Sequence, residues 1–152
     1  MPPQRAYRIG HSSGNFPVFS AVGSTLVEGR WHTVGQEVIY ASAYYSTALL
    51  EARAYTGAIR PSHQRFVEIN IPPSTSYEIV DADVLLGWDE PGSHTARAFG
   101  SLWLEEGHTA LLIVPSVIAP IDRNVLINPN HPDSPGLSVG PEQQVQWDSR
   151  LF

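Results

Sequence analysis

The sequence predicts an α+β fold in a single domain over residues 1–152. The chain has 152 residues, 42% of them hydrophobic and 16% charged, which is enough to bury one hydrophobic core. It contains segments with strand periodicity and segments with helical periodicity, and we count about six to eight strands and two main helices. Their order is not the regular strand–helix alternation of a doubly wound nucleotide-binding fold, so mixed or antiparallel sheets are expected.

The first half of the chain predicts strands around one helix. Residues 5–9 and 37–42 have strand-like patterns, and the Gly/Ser-rich stretch 10–29 between them has only weak periodicity. Apolar residues in 46–57 recur at helical spacing, and the glycine at the end of that segment is a typical stop signal. Residues 65–71 alternate again as a strand and are followed by two prolines.

The second half predicts one more helix among short strands. Residues 77–85 contain a short strand, and 93–107 carry apolar residues on one helical face before a glycine. The continuous apolar run 109–116 has the length of a buried strand. Residues 124–128 and 145–152 supply two further predicted strands.

The composition excludes several kinds of chemistry. The chain has no cysteine and no lysine, so its nine basic residues are all arginines. Disulfide scaffolds, cysteine-ligated zinc, Schiff-base lysines and the P-loop lysine are therefore excluded. The six histidines do not fall at metal-ligand spacing, and we assign no metal site. A bound phosphate would have to be held by guanidinium groups or backbone amides.

The charge and the hydropathy pattern restrict the partners. The formal net charge of −6 repels a phosphate backbone, so direct nucleic-acid binding is not expected. The first residues do not have the pattern of a signal peptide, and no window approaches 18 uninterrupted apolar residues. We expect a soluble cytoplasmic protein with no membrane partner.

Two groups in the first half carry candidate chemistry. Arg30 beside Trp31 fits a guanidinium that anchors an anion next to a stacking surface, but the spacing alone favours a surface arginine lying on a tryptophan. Tyr40 lies near a strand end, and Glu51 lies among apolar residues of the predicted helix. A carboxylate on a buried face needs a partner; the alternative is an exposed helix glutamate paired with a neighbour on the helix.

Two groups in the second half are weaker candidates. Ser116 follows the buried apolar run, where it fits either a functional hydroxyl or the commoner turn-capping serine. No nucleophile-elbow motif accompanies it. Asn128 opens the turn-rich segment 128–132, whose simpler interpretation is a rigid loop.

In this order and with these flanking residues, Arg30, Glu51 and Ser116 resemble the RES domain, a family named for its Arg, Glu and Ser. The resemblance extends over nearly the whole chain. One departure is His32, where the family commonly has Asn after the Gly-Arg-Trp triplet. The motifs that carry the resemblance are YR at 7–8, EGRWH at 28–32, VIYAS at 38–42, ALLEA at 48–52, LIVPSVI at 112–118, NVLINPNHP at 124–132 and the closing WDSRLF.

The resemblance implies a fold similar to that of ADP-ribosyltransferase toxins and a set of site residues. Glu51 would stabilise positive charge on the ribose of NAD, and Tyr40 would stack on nicotinamide or position the ribose. Arg30, with Arg8, would pair with the diphosphate or an attacking phosphate. Ser116 would donate a hydrogen bond to the substrate without acting as a nucleophile. Trp31 and Asn128 are additional substrate-binding candidates.

The same resemblance implies a toxin of a bacterial type II toxin–antitoxin pair that degrades NAD by hydrolysis or phosphorolysis. NAD is then the substrate, phosphate a candidate co-substrate, and no bound cofactor is required. An Xre-like helix-turn-helix antitoxin is the expected partner, in a homo-oligomer or a hetero-oligomer. Two alternatives stay open: a mono-ADP-ribosyltransferase that modifies a protein, and a non-catalytic module that only binds its antitoxin.

Overall fold

A computed structural model describes residues 1–11 and 16–152 of the chain, and its described residues form one eight-stranded sheet with three helices. The twelve-residue helix Tyr45–Thr56 and the thirteen-residue helix His94–Glu106 are the two main helices, and Val22–Leu26 form a single short turn of helix. The strands are β1 (Arg5–His11), β2 (Ile39–Ser42), β3 (Gln64–Asn70), β4 (Tyr77–Ile79), β5 (Leu111–Pro115), β6 (Arg123–Ile127), β7 (Ser138–Val139) and β8 (Gln143–Gln144), and the helices are α1 (Val22–Leu26), α2 (Tyr45–Thr56) and α3 (His94–Glu106).

The sheet is mixed, as the α+β prediction requires. The strands lie in the order β4-β5-β6-β2-β1-β3-β7, and β8 also pairs with β3. Strands β4 and β5 are parallel, and the other pairs are antiparallel. The central strands β6, β2 and β1 come from distant parts of the sequence, so the middle of the sheet brings together segments that the sequence separates.

The two faces of the sheet bury separate hydrophobic clusters, because successive side chains of a strand point to opposite faces. On β6, Val125 and Ile127 belong to one cluster, while Leu126 belongs to the other. The second cluster includes Trp31 and Trp88, and it is covered by residues of α3, among them Ala96 and Trp103. The face with Leu126 also carries α2, and the candidate functional residues lie there.

Helix α2 is held at both ends by contacts outside itself. At its start, the Tyr45 ring packs on Phe66, with ring centroids 4.7 Å apart. Near its end, Arg53 Nε donates to the Leu151 carbonyl at 2.5 Å, and the guanidinium lies 4.4 Å from the centre of the Phe152 ring. These contacts position the middle of the helix, which carries Glu51, against the sheet.

Helix α3 approaches the chain at Trp31 unusually closely. A methyl group at Gly100 would overlap the Trp31 carbonyl oxygen and lie 2.9 Å from Trp31 Cβ. The absence of a side chain at Gly100 therefore allows the helix backbone to lie directly on this segment. Through this contact, α3 supports the loop that carries Arg30.

Most predicted elements are confirmed, and two stretches differ from the prediction. The strand predicted at 145–152 is wrong: β8 ends at Gln144, and residues 149–151 form a 3-10 turn. The Asp148 carboxylate accepts the backbone N–H of Arg150 at 2.8 Å, a local bond that favours a turn over an extended strand. The weakly periodic stretch 10–29 contains α1, and its residues 12–15 lie outside the described residues.

The described helices are all too short or too polar to span a lipid bilayer. The longest is α3, with thirteen residues, and an apolar helix needs about 20 residues to cross the hydrocarbon core.

Substitution of Gly100 by Ala tests the close approach of α3. We expect the free energy of unfolding to fall by about 3 kcal/mol, because either the helix or the Trp31 segment must move to admit the methyl group. The matched control is Gly23→Ala in α1, where an added Cβ meets nothing within 4 Å. Urea denaturation measures both variants, and equal stability of the two would contradict the packing described here.

Candidate active site

The Glu51 carboxylate receives two hydrogen bonds on one oxygen. Ser116 Oγ donates to Glu51 Oε1 at 2.7 Å, and Asn124 Nδ2 donates to the same oxygen at 2.8 Å. Ser116 has no exposed surface, whereas Glu51 is partly exposed. A carboxylate at the edge of a buried face is thereby provided with the partners that its charge requires.

Both donors are themselves held in place. Ser42 Oγ donates to Asn124 Oδ1 at 2.7 Å, and the two residues are directly opposite each other on β2 and β6. The Ser116 hydroxyl accepts the backbone N–H of Ala119 at 3.0 Å in the loop after β5. The Glu51 carboxylate therefore has partners on β6 and immediately after β5, two adjacent strands of the sheet.

A second bond fixes α2 to the same part of the sheet. Thr47, buried one turn before Glu51, donates its hydroxyl to Asp122 Oδ2 at 2.8 Å. The Asp122 carbonyl accepts the backbone N–H of Ser116 at 3.2 Å. The loop between β5 and β6 is thus tied to both the helix and the serine, which limits the movement of Glu51 along the sheet.

Tyr40 forms a second polar group on the same face. Because side chains alternate along β2, Tyr40 and Ser42 point to the same side of the sheet. The Tyr40 hydroxyl lies 2.8 Å from His32 Nδ1 and accepts the Trp31 backbone N–H at 3.1 Å. Gly29 leaves room for this pair, since a Cβ there would lie 2.7 Å from the Tyr40 oxygen.

The surroundings of His32 determine the direction of its bond to Tyr40. His32 Nε2 lies 2.9 Å from the Ser24 carbonyl and 3.0 Å from the Val27 carbonyl. Carbonyl oxygens only accept, so in the neutral ring Nε2 carries the proton and Nδ1 accepts from the Tyr40 hydroxyl. The Tyr40 hydroxyl therefore donates its hydrogen bond to His32, within the protein.

Two guanidinium groups lie close enough to influence Tyr40 electrostatically. Arg30 Nη1 donates to the carbonyls of Trp88 and Glu90 at 3.2 and 3.3 Å. Arg97, on α3, donates from Nε to the Gly29 carbonyl at 3.1 Å, next to Arg30 in the chain. Burial raises the pKa of Tyr40, and the Trp31 N–H, Arg97 and Arg30 oppose that rise by smaller amounts.

The similarity to known proteins covers nearly all of the described site, since residues 5–148 match the RES domain. The chain belongs to the RES domain family. The "Prs ADP-ribosylating toxin" of a Sphingobium species is 37% identical over 139 residues, which cover 88% of this chain and 86% of the relative. The "Toxin Res" of Pseudomonas putida is 33% identical over 136 residues, covering 88% of this chain and 92% of the relative. By its family and by these relatives, the chain is a RES-domain toxin.

The fold of the RES domain also matches a solved structure. A chain of the crystal structure of the M. tuberculosis MbcT-MbcA toxin-antitoxin complex superposes with a TM-score of 0.69 at 13% sequence identity. The match covers 93% of this chain and 84% of that chain. At this identity the match shows the fold, and it agrees with the α+β class that the sequence predicts.

The structure of the RES domain brings four predicted site residues to one face of the sheet. Glu51 and Ser116 are in direct contact, and Tyr40 is on β2 beside the Asn124 strand. Arg30 lies near Tyr40, in the loop before β2. These residues are far apart in the sequence, and the sheet order places their segments side by side.

Arg8 lies on the other face of the sheet. Tyr7 is opposite Ser42 in the register, so the next residue points away from the face that carries Glu51. Arg8 Nε donates to the Val18 carbonyl at 2.6 Å and Nη1 to the Tyr40 carbonyl at 2.8 Å. Burial lowers the Arg8 pKa to about 10. In this arrangement Arg8 ties β1 to the backbone of Tyr40.

Trp31 and Asn128 are also placed away from the Glu51 contacts. The Trp31 side chain is 3% exposed and packs in the core, with its ring stacked 6.4 Å from that of Trp88. Asn128 follows the opposite end of β6 from Asn124, and its Oδ1 accepts the Asn130 backbone N–H at 3.0 Å. The structure thus gives both residues packing or turn roles.

Sequence reasoning missed three residues of this site: Ser42, Asn124 and Arg97. Ser42 and Asn124 lie in segments recognised as strands, and their meeting depends on the pairing of β2 with β6. Polar residues in otherwise apolar strands were the available signal. Arg97 lies on the predicted second helix, but the Gly29 carbonyl that it contacts is 68 residues away, so a local pattern does not indicate the contact.

No metal-binding cluster is present in residues 1–11 and 16–152: no three His, Asp or Glu side chains lie close enough together to hold an ion. The polar residues around Glu51 are donors to a carboxylate rather than a set of metal ligands. The arrangement suits the stabilisation of positive charge in a bound organic molecule.

Substitution of Tyr40 by Phe tests the buried phenol. At neutral pH we expect a loss of about 1–3 kcal/mol in the free energy of unfolding, because the Trp31 N–H and His32 Nδ1 lose their partner. The unfolded chain ionises tyrosine near pH 10, whereas the folded protein resists ionising Tyr40. The unfolded state therefore binds fewer protons above about pH 10, and wild-type stability falls there.

Tyr40→Phe removes this loss, so the stability difference between the variant and the wild type should narrow as the pH rises above about 10. Urea denaturation at several pH values measures it. Tyr44→Phe is the control, since the Tyr44 side chain is 60% exposed. Parallel stability curves for the wild type and Tyr40→Phe would contradict the buried position of the phenol.

Proposed function

We propose that this RES domain cleaves NAD at the bond between nicotinamide and ribose. The observation that carries the proposal is the Glu51 carboxylate, held by Ser116 and partly exposed on the face that also carries Tyr40. A fixed anion beside a developing cation is the most effective single contribution that a protein makes to such a reaction. Family membership and the names of the relatives support the same chemistry.

In the proposed reaction, the C1′–N bond breaks and its electron pair goes to the nicotinamide nitrogen, which becomes neutral. The ribose ring takes the positive charge as an oxocarbenium ion. Glu51 binds the ribose hydroxyls and stabilises this charge. Attack by water gives ADP-ribose and releases one proton, and attack by phosphate gives ADP-ribose-1″-phosphate.

The other residues receive supporting roles in this proposal. Arg30 is the guanidinium assigned to the diphosphate, since a guanidinium can make two parallel bonds to phosphate oxygens. Arg97, whose Nε lies 3.6 Å from Glu28 Oε2, supports the Gly29 carbonyl beside Arg30. The Tyr40 hydroxyl donates a hydrogen bond to His32 Nδ1, so the face of the Tyr40 ring is the part that contacts the nicotinamide or ribose in this proposal. The Ser116 proton is directed at Glu51, so Ser116 acts through Glu51 rather than on the substrate.

A second candidate function is ADP-ribosyl transfer to a protein. It is favoured by the name of the relative at 37% identity, an ADP-ribosylating toxin whose sequence covers 88% of this chain. Both functions share the same bond cleavage and differ in the group that attacks the ribose. Identification of the products separates them.

We also propose an antitoxin as the partner of this chain. The fold matches a chain from a toxin–antitoxin complex, which supports such an assembly. An Xre-like helix-turn-helix antitoxin would supply the DNA binding that a chain of net charge −6 lacks. A segment with a carboxylate would complement Arg30 and block the NAD site.

Substitution of Glu51 by Gln tests the proposed reaction. The amide keeps the shape of the side chain and loses its charge, so we expect NAD turnover to fall at least about 100-fold while the fold remains. Purified protein is incubated with NAD, with and without phosphate and with and without a bacterial lysate. Mass spectrometry then identifies ADP-ribose, ADP-ribose-1″-phosphate or a modified protein.

The matched control is Glu105→Gln, an exposed position on α3, which should turn over NAD like the wild type. Expression of the wild type should arrest bacterial growth and lower NAD, and co-expression of the antitoxin should relieve the arrest. Near-normal turnover by Glu51→Gln would refute the role of Glu51. A harmless wild type with unchanged NAD would favour a non-catalytic antitoxin-binding module.

Arg30→Lys and Arg30→Ala test the diphosphate contact. A lysine ammonium is a point charge and does not reproduce a two-bond contact with phosphate, so both variants should lose NAD turnover to a similar extent, roughly 100-fold. Arg5→Lys, at an exposed arginine of β1, controls for the loss of a surface guanidinium. If Arg30→Lys works like the wild type, the site needs positive charge without the guanidinium geometry.

A further inference from the structure

Three side-chain hydrogen bonds connect the middle of the sheet to the carboxylate on α2. Ser42 Oγ donates to Asn124 Oδ1 at 2.7 Å, Asn124 Nδ2 donates to Glu51 Oε1 at 2.8 Å, and Ser116 Oγ donates to the same Oε1 at 2.7 Å. Within the described residues, both bonds to the carboxylate involve Oε1. No hydrogen bond from the described residues reaches the second oxygen, Oε2, so a ligand can bind there.

The direction of each bond follows from the carboxylate. An ionised carboxylate only accepts hydrogen bonds, so Asn124 must present its NH₂ group to Glu51. The Asn124 carbonyl oxygen then faces β2, where only a donor can satisfy it. Ser42 provides that donor from the position directly opposite on the neighbouring strand. The three residues fit one another in a single orientation.

Asn124 is a polar residue in a strand whose neighbours on the same face are apolar. It shares a face with Leu126, a fully buried member of the hydrophobic cluster on that side of the sheet. Apolar β-branched residues are the favoured occupants of such strands, and a polar pair in the sheet contributes little net stability when satisfied. An amide at this position makes chemical sense when its neighbour is a carboxylate that must be held.

We infer that Asn124 is a positioning residue for Glu51, and that Ser42 orients Asn124. Together with Ser116, Asn124 fixes Oε1 and directs Oε2 toward the ribose of the substrate. This inference rests on the proposed function and adds to it: the Ser42–Asn124 pair on β2 and β6 is part of the active-site machinery without touching the substrate.

Asn124→Asp is the first test. The variant is nearly the same size and keeps the oxygen that accepts from Ser42, but it places a second carboxylate against Glu51. At neutral pH we expect kcat for NAD cleavage to fall about 100-fold, as for a small misplacement of a reacting group, while KM changes little. Asn124→Ala, which removes the donor to Glu51 without adding charge, separates the two roles. A positioning role lowers kcat in the folded Ala variant, whereas a purely structural role lowers its stability and leaves kcat unchanged.

The pH profile of the Asn124→Asp variant supplies a second readout. As the pH is lowered, the introduced carboxyl takes up a proton and can donate to Glu51 as the amide does, so activity should recover relative to the wild type. Among the described residues, the other titratable groups on this face include Asp122, whose Oδ2 is bonded to Thr47, and Tyr40 with its partner His32. Tyr7 lies there too, with Glu68 and Tyr45 beside it. They are unchanged between the two proteins. Asn130→Asp, at an exposed position, adds the same charge as a control.

The outcomes separate this inference from the proposed function. An inactive wild type would overturn the proposed function and the inference with it. An active wild type, an inactive Glu51→Gln and an Asn124→Asp variant with wild-type kcat would overturn the inference and leave the proposed function standing. A large loss in kcat with unchanged KM, one NAD bound per chain by calorimetry and recovery at lower pH would support it.

Ser42→Ala keeps the inference testable if Asn124→Asp does not fold. This variant removes the hydroxyl that donates to Asn124 Oδ1, so the Asn124 amide is held by its bond to Glu51 without the bond from β2. We expect kcat to fall roughly tenfold with little change in KM, as for loss of a residue that orients a functional group. A Ser42→Ala protein that folds and turns over NAD at the wild-type rate would overturn the inference.

Discussion

The placement of one carboxylate on a largely buried face of the sheet is the constraint on which the rest of the site depends. A charge removed from water needs hydrogen bonds in compensation, and Glu51 obtains them from Ser116 and Asn124. Those two donors come from the loop after β5 and from β6, which are adjacent in the sheet. Because Glu51 needs both hydrogen-bond donors, α2 must lie where β5 and β6 are adjacent in the sheet.

The aromatic and arginine side of the site is built on a different support. Gly29 and Gly100 permit close contacts, at the Tyr40–His32 pair and between α3 and Trp31 respectively. Arg97 then reaches back from α3 to the Gly29 carbonyl. The loop that carries Arg30 is fixed by packing and by backbone carbonyls, so its guanidinium is positioned before any ligand arrives, which favours binding and catalysis.

His32 connects the candidate site to the backbone of the preceding segment. Its two ring nitrogens bridge the Tyr40 hydroxyl and the carbonyls of Ser24 and Val27. One ring supplies both an acceptor for the phenol and a donor for the backbone. His32 is therefore in direct contact with a residue of the candidate site.

The sequence by itself predicted strands β1 to β6, the two main helices and the α+β class, because hydrophobic periodicity and glycine or proline punctuation are local properties. It missed the two-residue strands β7 and β8, which are too short to show a periodicity. It also indicated Arg30, Tyr40, Glu51 and Ser116, through motifs whose order resembles one family. Only the tertiary structure decided which of these residues meet. The bonds from Asn124 to Glu51 and from Ser42 to Asn124 span 73 and 82 residues, and the sheet order that creates them is set by the pairing of distant strands. For the same reason Arg8, adjacent in sequence to a strand residue that faces the site, points to the opposite face, since a shift of one residue reverses the direction of a side chain.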